Sequence, residues 1–265
     1  MRNGLKGALA AAWVVGAAQG VSAADIPAKA PAYKAPAAVG ASNWTGFYVG
    51  VNAGGVLGSS GRNLLLDSGY PVTAAEAAAL LRQANETINN IPGWIVGGQL
   101  GYNRQIQNVV VGIEADINHL GFKKTRGPDQ VVGLAAGNFL TQSVDVRWLT
   151  TVRARAGVTV GSWLWYATAG FAGAQVKFND TLKFAGAAQP AVADKSDFAL
   201  GWTAGGGLEV LLGGNWSLKG EYLYADLGKL STRSNVPGVA TANATHEADA
   251  KLHVARVGVN RKFGM

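Results

Sequence analysis

With 265 residues, 37 of them Gly, the chain is long enough for one large domain or two small ones, and its 15% of charged residues is well below the average for a soluble domain. An apolar share of 48% excludes a disordered chain, and the absence of Cys excludes disulfide frameworks, Cys-ligated zinc and thiol catalysis. The net charge of +7 is scattered, with Lys123, Lys124 and Arg126 its main cluster; nucleic acid is therefore not an expected partner, and anionic lipid headgroups suit that cluster better.

In chain order, Arg2 and Lys6 precede the uncharged stretch Gly7 to Ala18, too short to span a bilayer, and Val21-Ser22-Ala23-Ala24 follow. That is the layout of a secretory signal peptide over residues 1–24. Residues 25–42 place Pro27, Pro31 and Pro36 among Ala, Lys29 and Lys34, the composition of a semi-extended linker; contact of this linker with peptidoglycan is left open.

After Asn43 no run of about 20 apolar residues occurs, so no spanning helix is expected. A period of two appears instead. Phe47, Val49, Val51 and Ala53 alternate with Tyr48, Gly50, Asn52 and Gly54, and Trp94 to Asn103 continues in the same way. A capping-box pattern, Thr73-Ala74-Ala75-Glu76, heads a short helix through Asn85 in the connection between these two segments. Val109, Val111, Ile113, Ala115 and Ile117 oppose Gly112, Glu114, Asp116 and Asn118; Val144 to Ala156 sets Val146, Trp148 and Val152 against Arg147, Arg153 and Arg155. Trp163 to Val176, Phe198 to Val210 (with Glu209), Trp216 to Tyr224 (with Lys219 and Glu221) and Ala255 to Phe263 (with Arg256) complete eight predicted strands.

Their connections alternate: long at 57–93, 120–142, 178–197 and 228–249, short at 104–108, 160–162 and 212–215. An all-β, eight-stranded antiparallel up-and-down transmembrane β-barrel over residues 43–265 follows. One barrel face is continuously apolar. In lipid that is the required surface; the charged face, Glu114, Asp116, Arg147, Arg153, Arg155, Glu209, Lys219, Glu221 and Arg256, then forms an interior ion network. A soluble barrel would reverse the two faces, with Lys and Arg outside. Trp94, Trp148, Trp163, Trp202, Trp216 and Phe263 fall at or near strand ends, where an aromatic girdle sits.

The run Asn43-Trp44-Thr45-Gly46-Phe47-Tyr48-Val49-Gly50-Val51-Asn52-Ala53-Gly54-Gly55 after an Ala/Pro/Lys linker, with Trp148-Leu149-Thr150-Thr151-Val152-Arg153-Ala154-Arg155-Ala156-Gly157, Glu221-Tyr222-Leu223-Tyr224-Ala225-Asp226-Leu227-Gly228 and His253-Val254-Ala255-Arg256-Val257-Gly258-Val259-Asn260, resembles the alphaproteobacterial outer-membrane immunogenic protein family, porin-like relatives of opacity proteins and the OmpA-type barrel. The resemblance implies residence in the bacterial outer membrane, contact with its lipid and lipopolysaccharide, and recognition of the C-terminal strand by the assembly machinery. Two departures stand out: Gly264 and Met265 follow Phe263 where such barrels end on an aromatic, and Arg261 occupies a lipid-face position near the short-turn rim, where it could snorkel.

Glu114 and Asp116 beside Arg153 and Arg155 read as structural ion pairs rather than acid–base catalysts, since neighbouring guanidinium groups keep carboxylates ionised. No enzyme is expected: His119 beside Asp116 lacks a convincing nucleophile. Some family relatives bind haem, which singles out His119, His246 and His253, but the expectation is three unrelated solvated residues and no cofactor or metal. Gly205-Gly206-Gly207 lies within a strand pattern and reads as close backbone packing, not a phosphate loop. The expected function is a charged, plugged barrel serving envelope integrity and surface interaction; the alternatives are a narrow porin-like diffusion channel for small solutes, and surface haem binding.

Overall fold

The computed structural model describes residues 43–69, 72–131, 134, 136–183, 185, 189–235 and 243–263. The chain divides into two units, Met1–Ala38 and Val39–Met265, and the described residues belong to the second. The predicted signal peptide, the linker and the departure at Gly264 and Met265 lie outside the described residues.

Nine strand segments and one helix occur among those residues: β1 (Gly46–Ser60), β2 (Arg62–Leu66), α1 (Ala74–Ala84), β3 (Ile88–Ile106), β4 (Val109–Gln130), β5 (Phe139–Val160), β6 (Trp163–Lys183), β7 (Ala191–Gly213), β8 (Trp216–Asn235) and β9 (Asn243–Phe263). Every neighbouring pair is antiparallel, in the order β1-β3-β4-β5-β6-β7-β8-β9, and β1 pairs with β9 to close the ring. The short β2 prolongs the line of β1 along β9, after a break at Gly61 whose N–H donates to the Asp249 carboxylate at 2.6 Å. The wall is thus the predicted eight-stranded up-and-down barrel. Closure gives each strand a hydrogen-bonding neighbour on both sides, as a bilayer core requires.

The short connections turn where the residues allow left-handed backbone. Gly214 and Asn215 have φ of 57° and 66°, the pair of positive values that a two-residue hairpin turn needs to match strand twist. The expected long connections differ from the sequence reading. Most of 120–142, 178–197 and 228–249 is strand: β4 continues to Gln130, β5 begins at Phe139, and β6 runs to Lys183. These extensions alternate with the opposite sense. Val176, Phe178 and Leu182 point inward, while Lys177, Asn179 and Thr181 face out.

The barrel therefore has two halves that solve opposite solvent problems. In the lower half, Phe47, Val51, Leu100, Ile113, Ile117, Val152, Phe171, Leu200 and Val257 are exposed on the outer face. The aromatic positions expected as a girdle are exposed too, in two rings: Trp94, Trp148 and Trp202 above, Trp163, Trp216 and Phe263 below. Along β7, Trp202 lies eight residues from Val210, which sits opposite Trp163. That is about 27 Å of strand; Leu200, exposed two residues further up β7, brings the apolar face to about 34 Å, which at a strand tilt of about 40° covers a hydrocarbon band about 25 Å tall. In the upper half the apolar residues turn inward, as Ile95, Leu120, Phe122, Val146, Val176 and Leu252 form one internal core. Register shifts mark the boundary in three strands, between His119 and Phe122, Val146 and Trp148, and Asp226 and Lys229. Each is a β-bulge where the wall leaves the membrane band.

Helix α1 covers the upper mouth. Its capping box is complete: the Glu76 N–H donates to the Thr73 hydroxyl, and the Thr73 N–H donates to the Glu76 carboxylate at 2.9 Å. Leu80 and Ala84 enter a second core with Leu64, Leu140 and Leu182 from the wall, and Gln142 Nε2 donates to the Ala84 carbonyl. The fully buried Leu80 side chain holds the helix down. Leu80→Ala should weaken this docking by about 2–4 kcal/mol, read as faster amide hydrogen exchange across α1 with unchanged exchange in the lower strands; unchanged α1 exchange would remove the docking role. The hydrogen bonds from Thr73 hold the Glu76 carboxyl below its ordinary range. The cap contribution is in place above the ordinary glutamate value and is lost as pH falls through the lowered one, so α1 protection should decline on acidification.

Candidate functional site

Inward positions of the lower half bring four basic and four acidic side chains into one network. Glu114 and Asp116 come from β4, Arg153 and Arg155 from β5, Glu209 from β7, Lys219 and Glu221 from β8, and Arg256 from β9, all buried. The charges balance. Arg153 is the hub: its guanidinium reaches Glu114 at 2.5 Å, Asp116 at 2.8 Å and Glu221 at 3.0 Å, and its Nε donates to the Thr151 hydroxyl at 2.9 Å. Lys219 Nζ lies 2.8 Å from Glu114, and Arg256 binds Glu221 at 2.6 Å and Asp116 at 2.8 Å. Arg155 reaches Glu209 at 2.7 Å.

Neutral groups fill most of the remaining valences, with Arg155 Nε left without a hydrogen-bond acceptor. Tyr48 from β1 donates to Glu114 at 2.7 Å, Tyr166 from β6 donates to Glu221 at 3.0 Å, and the Arg155 guanidinium stacks 4.0 Å above the Tyr166 ring. Ser217 and Asn260 donate to Glu209, and Gln99 of β3 donates to Asn260 at 2.5 Å. All eight wall strands thus contribute. Burying eight ionised groups is costly, and the cost is offset only where each has close partners of opposite sign and its hydrogen-bonding capacity is used.

The tyrosines stand over glycines on the facing strand: Tyr48 is opposite Gly101 and Tyr166 opposite Gly207. A Cβ on Gly101 would sit 2.4 Å from the Tyr48 ring, and one on Gly207 would sit 2.3 Å from the Gly220 carbonyl oxygen. Each aromatic covers a bare backbone and is aimed into the ion network. Gly205-Gly206-Gly207 does serve close approach, as its strand position implied.

One residue of the expected network is elsewhere. Strict alternation places Arg147 with Arg153 and Arg155, but the bulge in β5 breaks the count: Val146 pairs with Val176, Trp148 pairs with Gln175, and Arg147 is left without a β6 partner. Its side chain is 52% exposed and bonds Asp145 at 3.0 Å on the outer surface. A bulge adds one residue to one strand, so parity counted across it is inverted. Tyr48 and Tyr166 were missed for a different reason: their parity is inward, but an aromatic ring alone does not announce a polar role.

The three histidines are separated by the wall. His119 sits between Trp94 and Trp148, tilted to the first and edge-on to the second, with centroids 5.3 and 5.0 Å away, and His253 Nδ1 lies 2.6 Å from the Tyr222 hydroxyl; both are on the outer side. His246 is inside the upper half, 2.8 Å from the Ser234 hydroxyl and 3.1 Å from Asp180, whose carboxylate also pairs with Arg62. This polar tie crosses the lumen between β2, β6, β8 and β9 and, by sharing Asp180 with Arg62, joins strands rather than freeing a base. Arg261 lies outside near the lower ring, its guanidinium 5.7 Å from the Trp216 and Phe263 ring centroids.

Residues 15–263 match the family model of the outer membrane protein beta-barrel domain. The chain is 34% identical over 244 residues to the 31 kDa outer-membrane immunogenic protein of Brucella melitensis, covering 91% of this chain and 92% of that protein. It is 31% identical over 170 residues to the 25 kDa outer-membrane immunogenic protein of Brucella abortus, covering 64% of this chain and 66% of that one. Among solved structures, Neisserial surface protein A is similar at a TM-score of 0.39 and 13% identity, over 83% of this chain and 98% of that chain. Both Brucella relatives are named as outer-membrane immunogenic proteins. Alternating apolar and ionic faces, a closed antiparallel ring and this sequence match lead to one conclusion: the chain belongs to the outer membrane β-barrel protein family and resides in the outer membrane.

Proposed function

We propose that the protein is a non-conducting anchor of the outer membrane, its lumen blocked by the ion network, which contributes to envelope integrity and presents its upper half as an interaction surface. The observation that carries this reading is the four-to-four charge set spanning the lumen, in which the Arg153 and Lys219 side chains are 0% exposed. A conducting pore needs a continuous wet path, and the ion pairs between distant strands, such as Arg153 with Glu221 and Arg256 with Asp116, argue against one. The names of the Brucella relatives support a surface-displayed role for this chain as well. A signal peptide at 1–24 and a periplasmic linker at 25–42 complete the reading.

Planar-bilayer recording of the folded protein tests it. The expected result is a flat baseline at 100 mV in 1 M KCl. Reproducible unitary steps from the folded species would overturn the plugged reading in favour of a narrow diffusion channel.

A further inference from the structure

Arg147, left out of the lumen, marks a second site on the outer wall. The β5 bulge turns it outward directly above Trp148, in the rung where Trp148 is flanked by His119 on β4 and Gln175 on β6. On the next rung the outward residues are Lys123, Asp145 and Lys177: Lys123 and Lys177 lie opposite Asp145 on its two sides, and their inward neighbours Phe122, Val146 and Val176 are buried. The rungs are two residues apart on β6, about 7 Å, and three and four residues apart on β5 and β4, where the register shifts take up the difference. Reading upward over β3 to β6, the wall goes from an apolar face at Ile117, Val152 and Phe171 to a cluster of rings at Trp94, His119 and Trp148, then to three cations around one carboxylate.

This order matches a lipid molecule lying along the wall: acyl chains on the apolar face, a sugar or glycerol body against the rings, and phosphate at the cations. A phosphate oxygen fork suits a guanidinium, and the net charge of the cluster is positive even with Asp145 bonded to Arg147. We infer that Lys123, Arg147 and Lys177 form a binding site for the phosphate of a phosphorylated outer-leaflet lipid. The bulge has a purpose in this site, since without it Arg147 would face the lumen. The inference rests on the barrel's place in the membrane and is independent of whether the lumen conducts.

The test uses the folded full chain in phosphatidylcholine nanodiscs, with retained lipid counted by native mass spectrometry during titration with diphosphoryl lipid A, with its dephosphorylated form, and with inorganic phosphate as competitor. Wild type should prefer the diphosphoryl form by tenfold or more. Each cation near an anionic surface contributes on the order of a fivefold change in affinity, so K123Q/R147Q/K177Q should abolish the preference, while K229Q/K251Q on β8 and β9 should keep it. Asp145→Asn, which frees Arg147, should strengthen retention of the diphosphoryl form. All these side chains lie outside the two cores, and the heat-dependent gel shift of a closed barrel verifies folding. The site is overturned if the triple variant retains the preference, if Asp145→Asn weakens it, or if millimolar inorganic phosphate competes equally well.

Discussion

Replacing Arg153 by Leu should lower the stability of the folded barrel by about 3–5 kcal/mol, the cost of leaving buried charges without a partner. Arg153 is bonded to Glu114, Asp116 and Glu221 at once. Its loss leaves four carboxylates against three cations in a volume with no exposed side chain to take up the excess. The measurement is the urea midpoint of the heat-dependent gel shift in detergent micelles. A matched pair provides the control: Lys219→Met strands part of the Glu114 charge, and adding Glu114→Gln should recover more than half of that loss, because the pair leaves with its charge balanced. If Arg153→Leu and an exposed control such as Lys195→Gln shift the midpoint equally, the network contributes nothing to stability.

Gly207→Leu should prevent the barrel from closing, whereas Gly55→Leu should be tolerated. The Cβ of the first would fall 2.3 Å from the Gly220 carbonyl and 2.8 Å from the Tyr166 hydroxyl; around Gly55 nothing lies within 4 Å. The tyrosine could rotate away, but a backbone carbonyl in a hydrogen-bonded ladder cannot, so the cost exceeds the roughly 1–3 kcal/mol of ordinary overpacking. Moving Tyr166 would also strip the ring from Arg155 and the hydroxyl from Glu221. Gly55 faces outward in the lower half, where a leucine is in keeping with lipid. The fraction migrating as the compact, unheated species distinguishes the two; equal folded fractions would remove the argument from close approach.

Legibility in the sequence followed the physics of each half. Below the bulges, alternation is enforced by lipid on one side and ion pairing on the other, so Glu114, Asp116, Arg153, Arg155, Glu209, Lys219, Glu221 and Arg256 could be assigned inward by parity alone. Above them, water bathes the outer face and the interior is filled by Val, Phe, Leu and Ala. The alternation there, as in Val176, Phe178 and Leu182 against Lys177 and Asn179, is sound but of the opposite sense, and a search for outward-facing grease passes it over as loop. Arg147 was lost because a single inserted residue has no compositional signature. The helix after Thr73 was legible, since capping is local chemistry; its docking on Leu64, Leu140 and Leu182 was not, because those partners are distant in sequence.

The collar of bulges also fixes how deeply the molecule is immersed. Sinking by one rung would carry Lys123, Asp145 and Lys177 into hydrocarbon; rising by one would lift Phe171 and Leu200 into water and draw the lower tryptophans off their interface. Either displacement is opposed on several strands at once. A thinner or thicker bilayer must therefore deform to fit the protein, which rides at a constant draught whatever membrane surrounds it.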